Sequence, residues 1–187
     1  MPPKVRISKE DIIQTTVDII RKHGEQGINA RVIAKELDCS TQPIFSNFSS
    51  MEELRFAVLD AANSIYRRFT ENVIKSNKYP IYKATGMAYI RFAREDKELF
   101  KLLFMRDRTC ESISVESDGF NEIVQLVHES AGVSADKAEI FHLEMWTFVH
   151  GFATMIATDY LTLEDDLISE LLTDAYLGLQ KRYRDKE

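Results

Sequence analysis

Residues Ala30 to Phe48 read ARVIAKELDCSTQPIFSNF. Two short helices joined by a tight turn account for this stretch best. Asn29 is a suitable N-cap for a helix over 30–37, because its side-chain oxygen can accept an orphan backbone N–H. Asp38-Cys39-Ser40 forms the turn, and Asp is one of the few residues other than glycine that tolerate the left-handed backbone such a turn needs. A second helix follows over 41–48. Pro43 sits in its first turn, where a missing N–H does no harm. Ile33, Ala34 and Leu37 would face inward from the first helix, and Ile44 and Phe48 from the second. Thr41, Gln42, Ser46 and Asn47 are left outward. Two short helices meeting steeply across a three- or four-residue turn make a helix-turn-helix.

The rest of the 187 residues also reads as helix. Glycine (seven) and proline (four) are scarce, which disfavours a turn-rich β fold. Ser8 with Asp11 opens a helix over 8–23, with Ile12, Ile13, Thr16, Val17 and Ile20 on one face. Gly24 and Gly27 stop it. Ser50 with Glu53 reads as a capping box for a long helix over about 50–77, which Asn77-Lys78-Tyr79-Pro80 ends. Further helices are expected at about 80–95, 97–106, 117–131, 135–158 and 164–184, with Asp96, Ser134 and Thr162 as caps. The fold class is therefore all-α, with about nine helices. A helix-turn-helix domain would occupy 1–50 and a helical body 51–187, with the helix at about 50–77 linking them.

Composition narrows the function. Apolar residues at 44% and charged residues at 29% suit a folded globular chain rather than a disordered one. No apolar run is long enough for a membrane span, and the first ten residues have no signal-peptide core. Cys39 and Cys110 have no paired spacing, and a reducing cytoplasm is the simplest setting. Net charge is −6, but residues 1–50 carry seven basic groups against six acidic ones. That segment is thus +1 and the remainder −7. Lys4, Arg6 and Arg31 could hold phosphates, with Lys35 beside them. Gln42 and Asn47 can pair with adenine edges, and Thr41 can touch a thymine methyl.

These residues carry a family resemblance. Ile28 to Ser40 resembles the pattern Thr-x-Arg-x-Ile-Ala-x-x-x-Gly-Val-Ser of TetR/AcrR-family transcriptional regulators. Thr41 to Leu54 resembles that family's Gly-x-Leu-Tyr-x-His-Phe-x-Ser-Lys-Glu-Glu-Leu. Trp146-Thr147-Phe148-Val149-His150-Gly151 resembles the Trp-x-x-x-His-Gly signature of one class of its regulatory domains. The resemblance implies a homodimeric DNA-binding regulator, usually a repressor, released from its double-stranded operator by a small, largely apolar effector. It carries DNA-contacting roles onto Asn29, Arg31, Phe45, Ser46 and Met51, and no cofactor. This chain departs from the pattern in having Phe45 for tyrosine, Met51 for lysine and Asp38 for glycine.

The body supplies the other expected sites. Tyr66, Phe69, Phe92, Phe104, Met105, Phe120, Trp146 and His150 are candidates to line an effector pocket, since aromatic and Met side chains make adaptable apolar walls. Trp146 and His150 are one turn apart on one face. Gly151, Thr154 and Thr158 form a small-residue face. Leu171, Ala175, Tyr176 and Leu179 belong to a wide apolar stripe. Together these suit a four-helix dimer interface. Two other readings stay open. One is a helical module that binds a small molecule or protein without DNA. The other is an enzyme, resting on Glu139 and His142 as a Glu-x-x-His pair, for which a di-metal site needs a second copy that the chain lacks. Cys110, after Arg106 and Arg108, is a candidate redox thiol.

Overall fold

The computed structural model describes residues 7–107 and 119–184. Among these it is all helical, with nine α-helices: α1 (Lys9–His23), α2 (Ala30–Glu36), α3 (Gln42–Asn47), α4 (Met51–Lys75), α5 (Ile81–Glu95), α6 (Lys97–Phe104), α7 (Phe120–Ala131), α8 (Ala135–Ala157) and α9 (Asp165–Arg184). A single 3-10 turn, Glu25–Gly27, follows α1. Packing divides the chain into two units. One comprises residues 1–68 and 96–106, and the other 69–95 and 107–187.

In the first unit, α1 starts on a complete capping box. Ser8 Oγ accepts from the Asp11 N–H at 3.0 Å, and the Asp11 carboxylate accepts from Ser8 N–H at 2.9 Å. Its buried face is Ile12, Thr16, Val17, Ile19 and Ile20. Ile13 is only half-buried and Ile19 takes its expected place. Here α1 packs against α6 as well as α2 and α3, so more than one stripe of it is covered. Asn29 caps α2 through a 3.0 Å bond from Val32 N–H. Asp38 has φ +48 and carries the chain between α2 and α3, while Cys39 N–H donates to Ala34 O at 2.9 Å. Ile33, Ala34, Ile44 and Phe48 are all buried beneath the pair.

Four caps differ from expectation. Ser50 Oγ does accept from Glu53 N–H at 3.1 Å, but the Glu53 carboxylate returns to Ser49, taking its N–H and its hydroxyl at 2.7 Å each. The box is displaced by one residue because the chain enters α4 from an extended Phe48. Asp96 precedes α6 without capping it. Its carboxylate is instead gripped by Arg21, with Nε and Nη2 at 3.0 and 2.7 Å from Oδ2. Thr162 lies three residues ahead of α9, which begins only at Asp165. Ser134 is the N-cap residue of α8, yet its side chain makes no capping bond.

The second unit is centred on α5 against α8, with α7 and α9 packed on them. Gly86 of α5 faces both neighbours: a Cβ there would lie in ordinary contact, 3.4 Å from Val149 Cγ2 and 3.6 Å from Leu172 Cδ1. Met87, Ile90, Phe92, Phe141, Met145, Ile168 and Leu172 fill the core. Arg91 and Arg94 both hold Asp165 at the start of α9, at 2.5 and 2.7 Å. Burial alone would raise the Asp165 carboxyl, but the hydrogen bonds from Arg94 and Arg91 keep it below the usual range.

The turn at Asp38 makes a direct test of this folding logic. A left-handed L-residue costs roughly 1–2 kcal/mol, and a β-branched one is least tolerated. Asp38→Gly should leave urea-unfolding stability unchanged or slightly raised. Asp38→Val should lower it by about 1–2 kcal/mol. Equal stability of the two variants would show that the turn is not strained.

Candidate functional site

The exposed surface of the helix pair is built from α2 and α3. On α2, Arg31 and Lys35 are exposed, and neither has a carboxylate within salt-bridge distance among the described residues. Asn29 is exposed as well, although its Oδ1 is engaged in capping. On α3, Gln42, Phe45 and Ser46 are exposed, while Thr41 and Asn47 are half-buried. Ser46 Oγ donates to Gln42 O at 2.9 Å, and Asn47 Nδ2 donates to Pro43 O at 2.8 Å. Of the four residues expected outward, Gln42 and Ser46 are exposed and Thr41 and Asn47 are only half so, with Ser46 and Asn47 bonded back onto their own helix. Met51 lies half-buried at the start of α4. Lys4 and Arg6 lie outside the described residues.

This surface rests on a buried base rather than on loops. Phe48 ends α3 with its N–H on Ile44 O at 2.9 Å. Lys9 Nζ stands 4.7 Å from its ring centroid and 3.4 Å from Glu53 Oε1. Three helices, α1, α3 and α4, are therefore tied at one aromatic side chain.

The candidate effector residues fall into separate groups. Tyr66 and Phe104 meet edge-on at 5.1 Å in the first unit, with Phe100 5.1 Å from Phe104, and Met105 is exposed nearby in sequence. In the second unit Phe69 meets Phe92 at 5.5 Å, and Phe120 meets His142 at 5.7 Å. Trp146 stacks on His150 at 5.8 Å with 29° between the rings, which confirms the shared face. Trp146 is nevertheless 49% exposed. These ring contacts occur in both units.

Sequence reasoning missed the tyrosines that meet the two histidines of α8. Tyr82 Oη lies 3.1 Å from His142 Nδ1, and Tyr89 Oη lies 2.8 Å from His150 Nδ1. The tyrosines are seven residues apart on α5 and the histidines eight apart on α8. Both pairs therefore recur every two turns along parallel helices. Those spacings were visible in the sequence, but nothing there said that α5 lies against α8. Burial drives the Tyr82 hydroxyl well above its usual pKa, with Tyr176 adding to the effect, and lowers that of His142. The Glu139/His142 pair gains no further ligands, since no group of three His, Cys, Asp or Glu that could hold a metal occurs among the described residues. Cys110 lies outside them. Cys39 is free and half-buried.

On α8, Ile140, Leu143, Thr147, Met155 and Thr158 are exposed on the side that carries Gly151. A Cβ built on Gly151 or on Gly178 of α9 would meet nothing within 4 Å. Leu167 and Leu177 of α9 are exposed too. Leu171, Ala175, Tyr176 and Leu179 are half-buried instead. Tyr176 packs on Phe141 at 5.2 Å and donates to Ser130 Oγ at 3.4 Å. The stripe read in the sequence is thus partly covered by neighbouring helices and partly open, with Leu167 and Gly178 on its open side. Thr154 Oγ1 is buried with no hydrogen-bond partner.

The buried His142 fixes a pH dependence. Its folded pKa is below the unfolded value of about 6.5, so the unfolded chain binds more protons as pH falls through that value. The contribution is present above about pH 6.5 and is lost below it. Thermal melts between pH 7.5 and 5 should fall steadily for the native protein and less steeply for His142→Phe. Identical slopes would remove His142 as the cause.

Comparison with known proteins completes the picture. Residues 82–176 match the family model described as tetracyclin repressor-like, C-terminal domain. The chain is 19% identical over 178 residues to the uncharacterized HTH-type transcriptional regulator YobS of Bacillus subtilis, covering 91% of this chain and 90% of that one. A protein of unknown function from a Rhodococcus species superposes with a TM-score of 0.70 at 18% identity, covering 97% of both chains. A TetR family member from Streptomyces coelicolor superposes at 0.63 with 14% identity, covering 90% of this chain and 98% of that one.

Proposed function

Since the chain belongs to the TetR family of transcriptional regulators, we propose that it is a homodimeric repressor whose operator binding a small, largely apolar effector relieves. The family is one of regulators rather than enzymes, and no helix among the described residues is long and apolar enough to cross a membrane. Residues 1–50 carry the DNA-reading function in this proposal, and 51–187 carry effector binding and dimerisation. The cytoplasm is its place of work.

The observation that carries the reading is the surface of α2 and α3. Gln42 is presented on α3, Arg31 and Lys35 on α2 have no carboxylate partner among the described residues, and Ile33, Ile44 and Phe48 form a buried base beneath both helices. Base edges require the first, phosphates the second, and register the third. Lys4 and Arg6 add phosphate contacts. Thr41, Gln42 and Asn47 contact bases, and Asn29, Phe45, Ser46 and Met51 complete the contact surface.

Dimerisation supplies two such surfaces. The support is the exposed apolar arc of α8 around Gly151, with Thr154 and Thr158, and the open Gly178 of α9 with Leu171, Ala175 and Leu179 alongside. A two-fold pair of α8 and α9 helices would form a four-helix bundle and present two readers to half-sites roughly 34–36 Å apart. The effector would lodge among the aromatic residues of the body, with Trp146 and His150 orienting its polar end.

The link between these functions is covalent. α4 is one unbroken helix whose residues 51–68 pack with the first unit and 69–75 with the second. An effector that prefers one tilt of α4 would bias reader spacing, and only by its differential affinity for the two states. The runner-up, a helical binding module without DNA affinity, draws on the absence of any cation from α3 and on Phe45 and Met51.

Selection of genomic fragments by the purified protein, followed by binding across a salt series, tests the reading. A palindromic site with a steep loss of affinity as salt rises is the expected result. Gln42→Ala should cost about 1–3 kcal/mol on that site and relax specificity at one base per half-site. Gly151→Glu should shift the protein from dimer to monomer in sedimentation and abolish operator binding. No enriched fragment at any salt would overturn the reader assignment.

A further inference from the structure

α3 is six residues long and contains no ionisable side chain. Two of its polar groups face back onto the helix: Ser46 Oγ donates to Gln42 O, and half-buried Asn47 donates to Pro43 O. The two large side chains left on the exposed surface are Gln42 and Phe45, three residues apart and so neighbours on one face. Phe45 is 52% exposed, although Ile44 and Phe48 already anchor the helix. The fold therefore does not need this ring, and it has no hydroxyl with which to hold a phosphate. What remains for it is an apolar contact beside whatever the Gln42 amide binds.

Only one feature of the major groove is apolar. Thymine carries a C5-methyl group there, whereas cytosine carries a hydrogen at the same place. Adenine, in the same type of base pair, offers the N7 acceptor and N6 donor that a glutamine amide fits bidentately. We propose that Phe45 is a specificity residue that packs on a thymine methyl beside an adenine held by Gln42. Each half-site then contains adjacent A·T pairs at the centre of the α3 footprint. The inference rests on the assignment of residues 30–48 as the DNA reader, and it names the base chemistry that reader selects.

The test uses the full-length protein and duplexes enriched from a random library. Each thymine of the enriched site is replaced singly by deoxyuridine, which keeps every hydrogen bond and removes only the methyl. Burial of one methyl-sized group predicts about a fourfold loss of affinity at one thymine per half-site, and roughly fifteenfold when both half-sites are changed. Phe45→Ala should bind the thymine and deoxyuridine duplexes equally, and Phe45→Leu should retain part of the difference. Circular dichroism melts of both variants should match the native protein, since the ring is exposed. If deoxyuridine is tolerated at every position, or if the loss persists in Phe45→Ala, the proposal fails while the reader stands. If the native protein enriches no duplex, the reader assignment fails and this proposal with it.

Discussion

Burial of the Phe48 ring is the constraint on which the α2–α3 pair and the start of α4 depend. Phe48 is 1% exposed and stands where α3 ends and the chain turns extended. A side chain of this size contributes roughly 1.5–3 kcal/mol on full burial. Its position matters more than that figure. The backbone N–H closes α3 on Ile44, the ring takes the Lys9 ammonium from α1, and the next residues start α4 through Ser49, Ser50 and Glu53. The orientation of a six-residue helix is too little to hold itself, since so short a segment is marginal on its own. Its neighbours hold it, and they meet at this ring.

The body depends on a different device. Two tyrosine–histidine pairs bridge α5 to α8 two turns apart. A buried hydroxyl without a partner would be costly, so these pairs also fix register: sliding α8 by one residue would break both. Half-buried Tyr176 adds ring contacts to Phe141 and Tyr82.

Most of the fold was legible because the punctuation is local. Asn29, Pro43, Asp38, Gly24 and the Asn77–Pro80 break act on backbone within a few residues, and helix ends fell within three residues of where those signals put them. What failed was whatever needed a partner from elsewhere in the chain. Asp96 looks like a cap until Arg21 arrives from 75 residues away. The α9 stripe looks uniformly available until three other helices claim one side of it. The aromatic residues of the body look alike as letters, and an exposed Trp146 cannot be told from a buried one by spacing alone. The α2–α3 pair was legible for the opposite reason: a two-helix motif of nineteen residues has few ways to fold, and its caps and turn are all local.

Arg21 and Asp96 carry a last consequence. The grip of α1 on Asp96 places α6, which follows α5 with one residue between, inside the first packing unit rather than the second. The chain therefore crosses between its units three times, after residues 68, 95 and 106, and not once at a linker. Modules joined by a single crossing can be exchanged by recombination at one breakpoint, and these cannot. A chimera made by grafting another body behind the reader would inherit a foreign α6, with no guarantee of a carboxylate for Arg21 or of leucine and phenylalanine at the positions of Leu99 and Phe100. The two halves are bound to diverge together, and α6 is the segment that records the agreement between them.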